Sequence, residues 1–207
     1  VNLLPVFMKL DGRRCLLVGA GAVALEKLVA LVGTGAEIHI VAEKVRPEIA
    51  ALVDSGKATL HKRSFASADL DGVFFVIAAT NNSAVNAEIF RLASERGVLC
   101  NAVDDPPNCD FYFGSVVRRG DLQIAISTAG KSPALSQRLR KEIDALLPAD
   151  ACEWLDAIGE IRQEILAAMP PGDERKQRLH SLVERDACTS DECPAKKQTE
   201  RGKKRGD

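Results

Sequence analysis

Residues 14–43 read RCLLVGAGAVALEKLVALVGTGAEIHIVAE, and this stretch restricts the fold more than any other in the chain. Arg14–Val18 is a short apolar run that enters glycines, the pattern of a buried strand. Val23, Leu25, Leu28, Leu31 and Val32 then recur at helical spacing until Gly33 and Gly35 end the run, and Ile38–Val41 forms a second strand. Strand, helix and strand within about thirty residues make a βαβ unit, with parallel strands joined by a right-handed crossover.

The alternation continues downstream. The spacing predicts a helix over Arg46–Ser55 and a short strand over Ala58–His61. After an acidic turn, GVFFVIAAT is apolar without alternation, which suits a central strand buried on both faces. Asn81–Arg96 reads as a helix ended by Gly97, and VLCNAV as a fifth strand. The fold class is therefore α/β, a Rossmann-like parallel sheet, and 207 residues leave room for a smaller appendage. Beyond Asp105 the rhythm breaks. FYFGSVVRRGDLQIAIST reads as two strands joined by a tight Arg-Gly-Asp turn, an antiparallel hairpin. A helix follows, with Ser132 as N-cap candidate, Pro133 in its first turn and Pro148 closing it. Ala151–Met169 is a further amphipathic helix carrying Trp154, Ile158 and Ile165, and Asp173–Arg185 reads as one more short helix. From about Asp186 the chain turns polar, and KKQTERGKKRGD has the composition of a solvated, disordered tail.

A net charge of −1 argues against a generic nucleic-acid binder, which needs a clear basic excess. No stretch approaches the ~20 apolar residues of a membrane span, and VNLLPVFMKLDGRR lacks the basic start and long apolar core of a signal peptide. A cytoplasmic protein is expected. The six cysteines are scattered without a C-x-x-C pair. Cys15 and Cys100 open apolar strands and read as small buried hydrophobes. Cys188 and Cys193 lie in the polar tail, either as metal ligands with His180 or, on the plainer reading, as exposed thiols in a reducing compartment.

Four motifs carry chemistry. In Gly19-x-Gly21-x-x-Ala24 the first glycine permits a tight turn, the second lets the backbone approach a pyrophosphate, and Ala24 allows close helix–strand packing. The helix beginning there offers free N–H groups to phosphates. An acidic residue about 20 positions on should bond a ribose hydroxyl, and Glu43 stands at that place. Lys44 beside it leaves some room for a 2′-phosphate, but NAD is the expected cofactor. In AATNNSAVN, residues 78–86, Thr80, Asn81 and Asn82 either face the far half of the cofactor or cap the next helix. In NAVDDPPNCDF, residues 101–111, Asn101 and Asp104 fall at the carboxyl end of the fifth strand. Asp104 there is either a general base or part of an ordinary Asp-Asp-Pro-Pro turn. Finally, the loop STAGKSP opens a helix carrying Arg138, Arg140 and Lys141, which with Arg118 and Arg119 makes a basic cluster. That cluster suits a polycarboxylate ligand or is a solvated helix face.

Three segments (LPVFMKLDGRRCLLVGAGAVALEK, AATNNSAVN and CNAVDDPPNCDFYFGSVVRRGDLQIAISTAGKSPALSQRLRKEI) stand in the order and spacing of the precorrin-2 dehydrogenases, the family of the N-terminal module of siroheme synthase and its stand-alone relatives. The chain resembles that family over about residues 1–170. The resemblance implies NAD-dependent oxidation of precorrin-2, a macrocycle with eight carboxylates, to sirohydrochlorin, and in some members insertion of Fe²⁺ to give siroheme. It implies an NAD-binding Rossmann domain (residues 1–112), a dimerisation region formed by the hairpin and following helix (113–148) and a helical C-terminal domain (149–186), followed by the tail (187–207), in a homodimer of intertwined chains. The family's essential aspartate falls on Asp104 and its neighbouring asparagine on Asn101. Its NAD contacts fall on Ala22, Val23, Glu43 and Lys44. A serine phosphorylated in some fused members falls on Thr128, beside Ser127. That threonine is one departure, Gly114 in place of a common proline is another, and the Cys-containing tail has no counterpart.

The resulting expectation is a precorrin-2 dehydrogenase in which Asp104 takes the proton. Asn101, Arg118, Arg119, Ser127, Thr128, Lys131 and Arg138 are the candidates for holding substrate, and no resident metal is expected. One rival is a bifunctional enzyme that also inserts iron. Another is an NAD(H)-sensing regulatory module, which leaves the segment Cys100–Pro133 unexplained.

Overall fold

The structure, a computed structural model, describes residues 3–183. The chain divides into two compact units, Val1–Phe113 and Gly114–Asp207. The expected tail and both Cys188 and Cys193 lie outside the described residues.

The first unit is a five-stranded parallel sheet in the order β3-β2-β1-β4-β5. Its strands are β1 (Arg14–Val18), β2 (Glu37–Val41), β3 (Thr59–His61), β4 (Phe75–Ala78) and β5 (Leu99–Ala102), and its helices α1 (Ala22–Leu31), α2 (Pro47–Asp54) and α3 (Ser83–Glu95). Each expected element is present: β1 has the expected bounds, β2 begins one residue earlier, and the others are shorter at one or both ends, β4 most of all.

Alternation along the strands builds two cores. Cys15 and Leu17 of β1, Ile38 and Ile40 of β2 and Ile77 of β4 pack beneath Ala24, Leu28 and Leu31 of α1 and Ile49 of α2. Leu16 and Val18, Val41, Val76 and Ala78, and Cys100 form the other face, covered by Ile89 and Ala93 of α3. Burial on both faces explains why these strands read as unbroken apolar runs. Each large side chain so enclosed contributes about 1.5–3 kcal/mol. Cys15 and Cys100 are fully buried, as expected, and burial pushes their thiols up to about 11 and about 12.

One expectation fails at the join. Phe111–Phe113 do not begin the hairpin. Phe111 stacks edge-on against Phe75 at 5.2 Å and lies 5.7 Å from Phe113, whose ring carries the Lys27 ammonium at 4.6 Å. These aromatics gain more by closing the first core than by pairing in a strand.

The second unit holds β6 (Ser115–Arg119) and β7 (Leu122–Ile126), paired antiparallel, with α4 (Pro133–Leu146), α5 (Ala151–Ala168) and α6 (Asp173–Ser181). Ser132 caps α4 by accepting from the Leu135 N–H at 3.2 Å. Val117 is buried, and Ser115 Oγ meets Ser136 Oγ of α4 at 3.2 Å. At Gly114 a Cβ would stand 2.6 Å from the Ile126 carbonyl oxygen. That approach leaves no room for a side chain there with the backbone as it stands.

Candidate functional site

The carboxyl ends of the first unit's strands open into a cleft of about 700 Å³. Four loops wall it: Gly19–Gly21 after β1, Glu43–Arg46 after β2, Arg63–Phe65 after β3 and Ala79–Asn82 after β4. The sheet order changes direction between β1 and β4, the place where open α/β sheets take their ligands.

The glycine turn fits a pyrophosphate. Gly19 has φ +108°, and a Cβ there would lie 2.3 Å from the Ala79 carbonyl oxygen, so the loops after β1 and β4 approach only because the residue is glycine. At Gly21 a Cβ would meet nothing within 4 Å, which is the open space a phosphate needs. Gly21 caps α1 with no side-chain hydrogen bond, and the first turn holds no acidic residue. The N–H groups of Ala22 and Val23 therefore remain free for an anion at the positive end of the helix dipole. Neither side chain lines the cleft.

The other wall carries charge. Glu43 accepts a hydrogen bond from Ser64 Oγ. Arg46 pairs with Glu48 at 2.8 Å, and Arg63 pairs with Asp69. Arg63 holds the Asp69 carboxyl below its ordinary range, first through its hydrogen bond to it. Lys44 makes no ion pair among the described residues.

Past β4, Thr80 Oγ1 donates to Asn86 Oδ1 at 2.6 Å, and Asn86 Nδ2 returns a bond to the Thr80 carbonyl at 3.1 Å. Asn82 caps α3, accepting from the N–H groups of Ala84 and Val85. The capping alternative thus holds at Asn82, and Thr80, Asn81 and Asn82 all line the cleft. Asn81 makes no side-chain hydrogen bond among the described residues. Asn86 is buried and was not singled out from the sequence. Its signal was an amide in phase with the buried stripe of Ile89 and Ala93. Ser64, Arg46 and Arg63 carried no such signal.

Asp104 stands beyond β5, at the same edge of the sheet but outside the cleft lining. The Asp105 N–H bonds the Ala102 carbonyl at 3.2 Å and closes a four-residue turn, in which Asp104 is exposed with φ +60°. Asp105 accepts from Asn108 Nδ2 at 2.7 Å, which steadies the short 3₁₀ turn Pro106–Asn108. The loop is laced back onto β5: the Cys100 N–H donates to Asp110 Oδ2 at 2.8 Å, the Asp110 N–H to the Cys100 carbonyl at 2.8 Å, and Asn101 Nδ2 to the Phe111 carbonyl at 2.7 Å. Asn101 is buried, with its amide committed to this bracing.

The remaining candidates belong to the second unit. Arg119 pairs with Asp144 at 2.7 Å, Arg138 with Glu142 at 3.3 Å, and Arg118 donates to Gln123 at 3.2 Å. Ser127 Oγ accepts from the Ala129 N–H, and Thr128 Oγ1 from the Ser132 N–H. Lys131 makes no ion pair among the described residues.

A parallel sheet with a glycine turn, an uncapped helix start and an acidic residue after the second strand defines an NAD(P)-binding module. The family model for NAD(P)-binding domains matches residues 6–115, and that for the central part of sirohaem biosynthesis proteins matches residues 119–146. The chain belongs to this NAD(P)-binding family. Siroheme synthase 1 of Serratia proteamaculans is 40% identical over 89% of this chain and 37% of its own length. That of Cronobacter sakazakii is 44% identical over 77% of this chain and 34% of its own. The solved structure of SirC, precorrin-2 dehydrogenase, superposes with a TM-score of 0.79 at 25% identity, over 97% of this chain and 100% of that one. The chain thus spans little more than a third of the curated siroheme synthases it matches. Among the described residues, no helix is long and apolar enough to cross a membrane.

Proposed function

We propose that this protein is an NAD-dependent dehydrogenase that oxidises precorrin-2 to sirohydrochlorin. The observation that carries the reading is the joint presence of a complete dinucleotide cleft and a freely exposed carboxylate, Asp104, at the same sheet edge. The likeness to a precorrin-2 dehydrogenase over the whole of that structure supports the substrate.

When bound, NAD supplies the acceptor for the hydride that leaves the reduced macrocycle. The chain supplies the rest. The free N–H groups of Ala22 and Val23 take the pyrophosphate, and Glu43 takes the ribose hydroxyls, which selects NAD. Loss of hydride from carbon requires loss of a proton as well, and the Asp104 carboxylate accepts it. Of the candidate cations, Arg119 and Arg138 are paired with Asp144 and Glu142, which leaves Arg118 and Lys131 free of ion pairs among the described residues and available to substrate carboxylates. Ser127 and Thr128 shape the loop that carries Lys131. Asn101 acts as a brace for the Asp104 loop rather than as a substrate contact.

The reading extends to a homodimer. The second unit leaves Val116, Leu135 and Leu146 exposed, the last at 80%, apolar surface that a second copy would cover. The free cysteines Cys15, Cys100, Cys109 and Cys152 suit a reducing cytoplasm.

The test is the absorbance change when precorrin-2 is mixed with NAD and the protein. Asp104→Asn and Asp104→Ala should keep NADH affinity within about twofold and lose turnover by about a hundredfold or more, the usual range for a general base. Wild-type turnover in both variants would refute the assignment. Sirohydrochlorin with Fe²⁺, with and without protein, decides whether iron is a second substrate. Unaltered insertion rates limit the protein to dehydrogenation.

A further inference from the structure

Glu43 is the residue on which cofactor choice turns, and it is an exposed side chain on a loop. A carboxylate in that place accepts from the 2′-hydroxyl of the adenosine ribose and repels a 2′-phosphate, provided it stays in the cleft. Ser64, from the loop after β3, also lines the cleft and donates its hydroxyl to Glu43 Oε1 across 21 residues of sequence. That bond occupies one carboxylate oxygen and leaves the other with its lone pairs free.

The cations of the same rim would favour a phosphate if they were available. Arg46 is held by Glu48 and Arg63 by Asp69, which leaves Lys44. With the guanidinium groups tied to their own carboxylates, the placing of Glu43 decides between a diol and a phosphate.

We propose that Ser64 is a positioning residue for cofactor choice: by holding the Glu43 carboxylate in the cleft, it makes the site prefer the ribose diol of NAD to the 2′-phosphate of NADP. This rests on the dinucleotide reading above. Fluorescence titration of the full chain with NADH and with NADPH gives two dissociation constants and their ratio. Wild-type protein should bind NADH tighter by about tenfold or more, as expected for hydrogen bonds to a charged group. Ser64→Ala should narrow that ratio by about three- to tenfold, through weaker NADH binding. Ser64→Thr, which keeps the hydroxyl, should retain it. In a Glu43→Ala background, Ser64→Ala should move the ratio by less than about twofold, because the oxygen that accepts its hydroxyl is gone.

A purely structural role for Ser64 weakens both nucleotides alike and leaves the ratio unmoved, and that result overturns the proposal. So does a shift of equal size with and without the Glu43 carboxylate. Wild-type protein that binds neither nucleotide overturns the dinucleotide reading, and the role of Ser64 falls with it.

Discussion

On neighbouring strands β2 and β3, His39 Nδ1 lies 3.2 Å from His61 Nε2, with the rings stacked at 5.5 Å. Burial, then the charges of Arg14 and His61, hold the His39 pKa below its usual 6.5, against a smaller pull from Glu37. A histidine depressed in the folded state binds its proton more readily when unfolded, so its contribution is full above about pH 6.5 and is lost as pH falls through the folded value. Urea midpoints should therefore drop between pH 7.5 and pH 5, and His39→Phe should flatten that drop. An equal slope in the variant would assign the pH dependence to other groups. Legibility at this scale follows sequence distance. Gly19, Gly21 and Glu43 were readable because a pyrophosphate and a ribose impose a spacing along one βαβ unit. Ser64 and the His39–His61 pair were not, because only the register of separate strands brings those partners together.

Among the elements, the loop from Val103 to Phe111 was the least legible. Its prolines and aspartates announced a turn, but nothing local showed that Asn101, Asp110 and Cys109 stitch it to β5 through the bridge between Asn101 and Cys109. Phe111–Phe113 were expected in a strand, and the first core claimed Phe111 and Phe113 instead. The stitching leads to a prediction. On the proposed role of Asp104, Asn101→Ala and Asp110→Ala should leave NADH affinity within about twofold while turnover falls by about tenfold to a hundredfold, the cost of displacing that carboxylate by around an ångström. Turnover and affinity falling together would mean that the first unit as a whole has loosened.

For the molecule as a whole, the sequence conveyed the order of elements well and their finish poorly. Short apolar strands alternating regularly with helices left little choice of fold. Where the chain divides, at Phe113 and Gly114, no composition change marks the place. The second unit is small and exposes apolar side chains, which a second copy would cover. Sedimentation velocity should give twice the chain mass, and Leu146→Lys, which changes an 80% exposed position, should shift the boundary toward the monomer without loss of helix by circular dichroism. An unchanged dimer would place the interface elsewhere.

The turn from Ala102 to Asp105 also limits what evolution can try at the proposed base. A third position with φ near +60° is comfortable for glycine, asparagine and aspartate, and strained for almost everything else. Of those three, only aspartate can take up a proton. Glutamate, the nearest chemical substitute, fails on backbone grounds before its longer reach is ever tested. A lineage that lost the acid here could keep the fold with asparagine and lose the chemistry, so an asparagine at this position in a related chain would mark a protein that still holds nucleotide and no longer turns it over.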